Sequence, residues 1–323
     1  MSQPSLPRVA VTRKVPGKLV VPGARVDVLG DGLPQRDALL GFVRGAHVLV
    51  PMFTERVDAA LLDAAGPDLR GVCNFAVGVN NIDLATCRQR GLIVTNTPNV
   101  VTEGTADLAW LLILATARRL IEADRYARSP EYPAKGPLGM AEWLGRDLTG
   151  RTLLIVGAGR IGLATALRAH AWGMKILYTA RSKHWEFELA PLAGERVDLD
   201  DGLRRADVVS IHTPLTPETT HLIDERRLAL MCPHAILVNT SRGPTVDEAA
   251  LARALHEGRI WGAGLDVYEN EPTIHPDLLS APNTVLTPHI GSAEVRFREM
   301  MTQMVADNAQ AILERREPPN RVV

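Results

Sequence analysis

Three residue types that can act together on a carbonyl group and a proton fall just past successive apolar segments in the second half of this chain. Arg242 stands in Val238-Asn239-Thr240-Ser241-Arg242-Gly243, Glu271 in Asp266-Val267-Tyr268-Glu269-Asn270-Glu271-Pro272, and His289 in Thr287-Pro288-His289-Ile290-Gly291-Ser292. In α/β sheets, ligands bind beyond the carboxyl ends of the strands. An arginine placed there can grip a 2-oxo acid with one forked donor, touching carboxylate and ketone oxygen together. A histidine titrates near neutrality, and a carboxylate beside it favours the protonated ring and fixes its orientation. A solitary histidine is more often structural, but of the nine here His289 is placed with both an acid and an arginine.

A second constellation precedes these. Gly157-Ala158-Gly159-Arg160-Ile161-Gly162 follows the apolar run Thr152–Val156 and opens a helical stretch through Leu163–Trp172. Glycines also end ordinary strands, so the flanking strand and helix carry the reading. The first glycine permits a tight turn, the second lets backbone approach a pyrophosphate, and the third lets helix pack on strand. The helix N-terminus then offers unpaired N–H groups to phosphate. The next strand, Lys175–Thr179, runs into Ala180-Arg181-Ser182-Lys183, where an NAD site usually carries an acid for the ribose hydroxyls. Two cations, a hydroxyl and no acid suit a 2′-phosphate, so NADP(H) is expected as the preferred cofactor, with NAD(H) possible.

The elements that must hold these groups alternate. Short β-branched runs (Val9–Thr12, Val26–Leu29, Val48–Val50, Gly71–Phe75, Ile93–Thr95) are separated by candidate helices such as Val57–Ala65 and Leu84–Gln89. A second series runs Thr152–Val156, Lys175–Thr179, Asp207–His212, Ala235–Asn239, Ile260–Asp266 and Thr284–Leu286. Alternation implies an α/β fold of two doubly wound parallel-sheet domains, a Rossmann-type dinucleotide-binding domain and a flavodoxin-like substrate domain, with a cleft between them. The expected boundaries give residues 1–101 and 292–323 to the substrate domain and 102–291 to the dinucleotide-binding domain. One long helix is predicted from Glu103 to about Arg128, capped by Thr102, then a Pro- and Gly-rich loop over Pro130–Gly139. A final helix is predicted from Ser292 to about Glu314.

The 323 residues exceed one ordinary core. With 46% hydrophobic and 23% charged residues and a net charge of −1, the chain reads as a globular enzyme without general affinity for nucleic acid or anionic membranes. Cys73, Cys87 and Cys232 lack metal or redox spacing and read as reduced thiols of a cytoplasmic protein. The start, Met-Ser-Gln-Pro-Ser-Leu-Pro, has no targeting pattern. The most apolar helix candidate, around Trp110–Ala117, is flanked by Asp107 and Arg118-Arg119, which argues against a membrane span. No cluster has metal-ligand spacing, and no G-x-S-x-G elbow is present.

In order and spacing, Gly157–Gly162, Asn239–Gly243, Gly264-Leu265-Asp266-Val267, Glu271-Pro272 and Pro288–Ser292 resemble the D-isomer-specific 2-hydroxyacid dehydrogenases. The resemblance extends to Ala76-Val77-Gly78 and Gly104-Thr105-Ala106-Asp107, and within the family it is nearest the glyoxylate/hydroxypyruvate and 2-ketogluconate reductases. It implies that Arg242 binds and polarises a small 2-oxo acid, His289 donates the proton, and Glu271 pairs with His289. It implies further that the N–H groups of Val77 and Gly78 bind the substrate carboxylate. Asp266 is expected to accept from the nicotinamide carboxamide. Thr105, His212, Thr213, Pro214, Thr240, Ser241, His289 and Gly291 are expected to line the cofactor, with Arg160 and Ile161 in its phosphate turn. His212 is expected to be a wall residue and no second acid. Trp143, in the apolar stretch Leu138–Leu144, is expected to reach a partner subunit's pocket in a homodimer. One departure stands out: the family often reads Asp-His-x-Asp where this chain has Asn80-Asn81-Ile82-Asp83, taken as loop variation near the substrate. The alternative function is a dinucleotide-sensing regulator on the same fold, like the C-terminal-binding corepressors, which can keep the Arg, Glu and His.

Overall fold

The structure is a computed structural model describing residues 6–323, so most of the start inspected for a targeting pattern lies outside the described residues. The chain forms two compact units. One takes the chain as far as Val101 and resumes at Ser292–Val323; the other is Thr102–Gly291.

In the first unit the strands are β1 (Arg8–Val11), β2 (Arg25–Val28), β3 (Val48–Val50), β4 (Gly71–Cys73) and β5 (Ile93–Thr95). They run parallel in the order β2-β1-β3-β4-β5, the flavodoxin-like arrangement. Alternation along each strand serves both faces. Val9, Val11, Val48, Val50 and Cys73 pack on Met301, Val305 and Ile312 of the helix Val295–Leu313. Ala10, Leu49, Val72 and Val94 pack instead on Leu61, Leu62 and Cys87. Strands buried on both sides must be apolar throughout, which is why these runs are so rich in valine.

The second unit carries β6 (Thr152–Val156), β7 (Lys175–Thr179), β8 (Glu195–Arg196), β9 (Val208–Ile211), β10 (Ile236–Asn239), β11 (Gly262–Leu265) and β12 (Thr284–Leu286). Their order is β12-β11-β10-β9-β6-β7-β8, all parallel, and it reverses between β6 and β9. Leu153 and Ile155 face Leu112, Ile113 and Ala166, whereas Leu154 and Val156 face Leu203, Leu237 and Leu251. The fold is α/β with two doubly wound parallel sheets.

Two expected elements differ. The long helix from Glu103 to about Arg128 is two helices, Thr102–Ala117 and Leu120–Ala127, with Arg119 left-handed between them at φ 51°. Thr102 is the first helical residue and no cap. The cause is tertiary: the Ala117 carbonyl, which would continue the ladder, accepts instead from the Arg146 N–H at 2.8 Å. Gly145 permits that approach, since a Cβ there would lie 2.6 Å from the same oxygen. The Pro130–Gly139 segment, expected as loop, contains the short helix Glu131–Lys135 with Pro133 in it. Pro130 caps that helix and Pro133 lies in its first turn, where a missing N–H costs nothing. Cys73 and Cys87 are buried and Cys232 half-buried, all three unbridged. Among the described residues no helix is long and apolar enough to cross a membrane.

Candidate active site

At the carboxyl end of β6 the three motif glycines stand in three different environments. Gly157 has φ 105°, and a Cβ there would lie 2.9 Å from the His212 carbonyl carbon. Gly162 brings the helix Arg160–Ala171 onto the strand, since its Cβ would meet the Gly157 oxygen at 2.4 Å. Gly159 faces open space, with nothing within 4 Å among the described residues. That open space lets a ligand group come close to the backbone. The helix has no side-chain cap and no acid in its first turn, which leaves its N-terminal N–H groups and dipole for an anion. Beyond β9 and β10, the Thr213 and Thr240 hydroxyls are buried without a hydrogen-bond partner among the described residues. A nicotinamide dinucleotide fits this donor set: pyrophosphate on the turn and helix, further polar atoms for the two hydroxyls.

The other expected lining residues are arranged less uniformly. The His212 Nε2 lies 2.9 Å from the Ser210 hydroxyl, and burial pushes its imidazole down to about 3, which favours the neutral ring. Pro214 is exposed. Thr105 donates to the Gly291 carbonyl at 3.3 Å, and Ser241 donates to the Asn239 Oδ1 at 2.8 Å, so both hydroxyls brace loops. Asp266 is 1% exposed. It accepts from Thr287 Oγ1 (2.7 Å) and from the N–H groups of Ile290 and Gly291 (both 2.8 Å). Its observed work is to anchor the His289 loop, with at most one lone pair left for a carboxamide.

The basic turn is exposed, as a polar ligand requires. Arg181 makes no salt bridge among the described residues, while Lys183 is paired with Glu188 at 2.6 Å and sits over the Trp185 ring. The two cations are therefore not equivalent. Sequence reasoning missed Arg196 on β8, whose guanidinium donates to the carbonyls of Ala180 (2.9 Å) and Arg181 (3.1 Å) and fixes the turn. A two-residue strand of Glu and Arg carries no periodic signal by which to find it.

Glu271 and His289, 18 residues apart, meet: His289 Nδ1 lies 2.8 Å from Glu271 Oε2. The other carboxylate oxygen accepts from the Tyr268 N–H at 3.0 Å. Burial alone would raise the Glu271 carboxyl, but the His289 hydrogen bond and charge outweigh it and hold the group below its ordinary range. His289 has φ 56°, a left-handed backbone that an L-residue adopts at a cost. Arg242 is half-buried; burial pushes its guanidinium down and the Glu271 charge acts against this, so the two feel each other.

Residues outside the expected set hold this arrangement. Asn239 donates to the Arg242 carbonyl (3.0 Å) and accepts from the Ser241 N–H (3.0 Å). Glu248 and Glu269 clamp each other's backbone, Glu248 N–H to Glu269 Oε1 at 2.9 Å and Glu269 N–H to Glu248 Oε1 at 2.6 Å. Gly243 lies flat against the Tyr268–Glu269 peptide. Together these tie the Arg242 loop to the Glu271 loop.

In the first unit the Val77–Gly78 turn follows β4. Its carbonyls are held by Asn96 (2.8 Å) and Asn74 (2.7 Å), while its N–H groups have no acceptor among the described residues and so remain donors for a ligand. Asn81, in the departing stretch, is no idle variation. It donates to the carbonyls of Met52 and Glu55 and exchanges bonds with Asn74, joining the loop after β3 to the turn after β4. Trp143, expected to reach a partner's pocket, lies against Tyr126 (5.2 Å) with Arg119 over its ring within this chain.

The comparisons agree with this geometry. Residues 110–291 match the model of the D-isomer specific 2-hydroxyacid dehydrogenase family, NAD binding domain. The chain is 48% identical to the glyoxylate reductase of Thermococcus onnurineus, covering 98% of this chain and 96% of that one. A crystal structure of a protein from Thermus thermophilus superposes with TM-score 0.91 at 45% identity, covering 98% and 100%. An NADPH-dependent glyoxylate/hydroxypyruvate reductase from Sinorhizobium meliloti, solved with NADP and malonate, superposes with TM-score 0.84 at 34% identity, covering 99% and 97%. The chain belongs to the D-isomer-specific 2-hydroxyacid dehydrogenase family, and its relatives here are of the glyoxylate reductase type. It is accordingly a 2-oxo acid reductase using a nicotinamide dinucleotide.

Proposed function

We propose that the chain reduces small 2-oxo acids, glyoxylate and hydroxypyruvate foremost, with NADPH in preference to NADH, as a cytoplasmic homodimer. The observation that carries the chemistry is the 2.8 Å contact between Glu271 and His289, with Arg242 half-buried and within reach of the Glu271 charge. The cofactor supplies the hydride. Arg242 binds the oxo acid and draws charge onto its ketone oxygen. His289, with Nδ1 turned to Glu271, holds on Nε2 the proton for the nascent alkoxide. Ionised Glu271 keeps the imidazole in that orientation and favours its protonated form. Val77 and Gly78 hold the substrate carboxylate by their N–H groups. Met52 and Phe75, both nearly buried at the ends of β3 and β4, set a small pocket. Dimerisation is supported by the exposed Leu138, Met140 and Leu144 of one apolar stretch. The cytoplasmic assignment is supported by the unbridged cysteines.

The test is a matrix of glyoxylate, hydroxypyruvate, pyruvate, 2-ketogluconate and phenylpyruvate against NADPH and NADH. The two smallest hydroxy- or aldehyde-bearing acids with NADPH should give the highest kcat/KM. A higher value for phenylpyruvate than for hydroxypyruvate would refute the small pocket, and no turnover in any combination would favour the regulator.

The NADPH preference rests on Arg181 and Ser182 more than on Lys183, given the Lys183–Glu188 pair. Losing one charge-assisted contact costs about 1.5–3 kcal/mol. Arg181→Ala should raise the KM for NADPH by roughly tenfold to a hundredfold. Lys183→Ala should change it less, and Ala180→Asp should swing preference towards NADH by repelling the phosphate. Equal use of NADH and NADPH by the wild type would defeat this assignment.

A further inference from the structure

An unpaired cation stands at the ligand-facing edge of the first unit's sheet. Arg298, in the first turns of the helix Val295–Leu313, is half-buried, and its guanidinium has no hydrogen-bond or salt-bridge partner among the described residues. The helix lies on the loop that follows β1. Thr302 donates to the Pro16 carbonyl at 2.8 Å, and a Cβ on Gly17 would lie 3.4 Å from the Glu299 Cγ. That loop brings up a second cation, Arg13, two residues past β1. Arg13 donates to Thr54 Oγ1 at 3.3 Å and so bridges the loops after β1 and β3. The strand order of this sheet reverses between those two strands, and ligands of open α/β sheets bind at such a reversal.

Burying a guanidinium without a partner is costly, and a like charge beside it adds to the cost. Burial first, and then Arg13, push the Arg298 guanidinium down. An acid from the protein would relieve both, yet the buried acid of this loop is already engaged. Glu55 accepts from Thr12 Oγ1 (2.8 Å), Thr54 Oγ1 (3.1 Å) and the Met52 N–H. The Thr54 hydroxyl spends its one proton on Glu55, so the donors left facing outward are the two guanidiniums, neither of which forms an ion pair among the described residues, and two such cations suit an anion.

We propose that Arg13 and Arg298 form an anion subsite, with Thr54 holding Arg13 in place, that takes a carboxylate of the oxo-acid substrate. This rests on the dehydrogenase reading and extends it to residues given no role there. The Val77–Gly78 turn follows β4, the neighbour of β3, so a substrate held there lies along the same strand ends. The carboxylate has two sources: the oxo acid's own, shared with that turn, or a second acid group at the far end of a longer oxo acid.

Arg298→Met and Arg298→Lys decide the matter, with Arg13→Met as a second variant should the first fold poorly. Steady-state kinetics with glyoxylate and with 2-oxosuccinate, and calorimetric titration with oxalate, are the readouts. Arg298→Met should raise the oxo-acid KM about tenfold or more. Its kcat, its KM for NADPH and its thermal midpoint should stay close to wild type, and Arg298→Lys should recover part of the loss. A rise for both acids, with weakened oxalate binding, assigns the subsite to the substrate's own carboxylate. A rise for 2-oxosuccinate alone assigns it to a second acid group. Unchanged KM for both acids and unchanged oxalate affinity would overturn the proposal. So would a loss confined to kcat and thermal midpoint, the mark of a structural role. Wild type inert towards every oxo acid would instead defeat the dehydrogenase reading, and the oxalate titration would still judge the subsite.

Discussion

Replacing His289 by alanine is expected to lower kcat for oxo-acid reduction by about 10²–10⁴-fold, the usual worth of a positioned general acid. NADPH affinity should change far less than kcat, because the residue lines the cofactor but delivers its proton to the substrate oxygen. Stopped-flow and steady-state measurements with glyoxylate separate the two effects, and undiminished turnover would remove His289 from the mechanism. Glu271→Gln tests the same pair more finely. With its carboxyl held below the ordinary range by His289, Glu271 stays ionised through neutral and weakly acid pH. The sign follows: a depressed carboxyl contributes its charge above its own pKa and loses it as pH falls through that value. Glutamine keeps the shape and a hydrogen bond but supplies no charge at any pH. Less of the enzyme then carries the proton at a given pH, so the alkaline limb of kcat/KM should move to lower pH, with partial recovery on acidification. An unshifted profile would dissolve the dyad, whatever the rate.

The second large effect is expected at a residue with no functional group. A Cβ on Gly243 would lie 1.9 Å from the Tyr268 carbonyl carbon, 2.0 Å from its oxygen and 2.4 Å from the Glu269 nitrogen. All three atoms are backbone, so no side chain can swing aside. Gly243→Ala must part the Arg242 loop from the Glu271 loop, against the Glu248–Glu269 clamp. The overpacking should cost about 1–3 kcal/mol of stability or more. The kcat/KM should fall by roughly a hundredfold, as when reacting groups are displaced by about an ångström. Thermal unfolding alongside kinetics checks both. An alanine variant that melts and turns over like wild type would mean the two loops are not packed as described.

Much of this was legible in residue order because the physics is local. Short β-branched and apolar runs bounded by turn residues read as strands covered on both faces, and β3, β5, β6, β7 and β12 fall where the pattern puts them. The glycine motif likewise depends on a turn and the helix directly after it, so Gly157 and Gly162 could be read with their reasons. The break at Arg119 could not, because it is made by a carbonyl captured from Arg146, 29 positions past Ala117. Nor could the Lys183–Glu188 pair, which makes two cations of one turn unequal.

By itself, the sequence determined the α/β class, the dinucleotide turn and the residue types able to move a proton and hold an anion, because periodicity and short motifs act over neighbouring residues. Tertiary structure alone decided which of those residues face each other. It brought Glu271 to 2.8 Å from His289, closed both Asp266 oxygens onto the His289 loop, and set Arg298 within the field of Arg13 without an ion-pair partner among the described residues. Those outcomes depend on strand order, since residues far apart in the chain meet only where parallel strands end side by side.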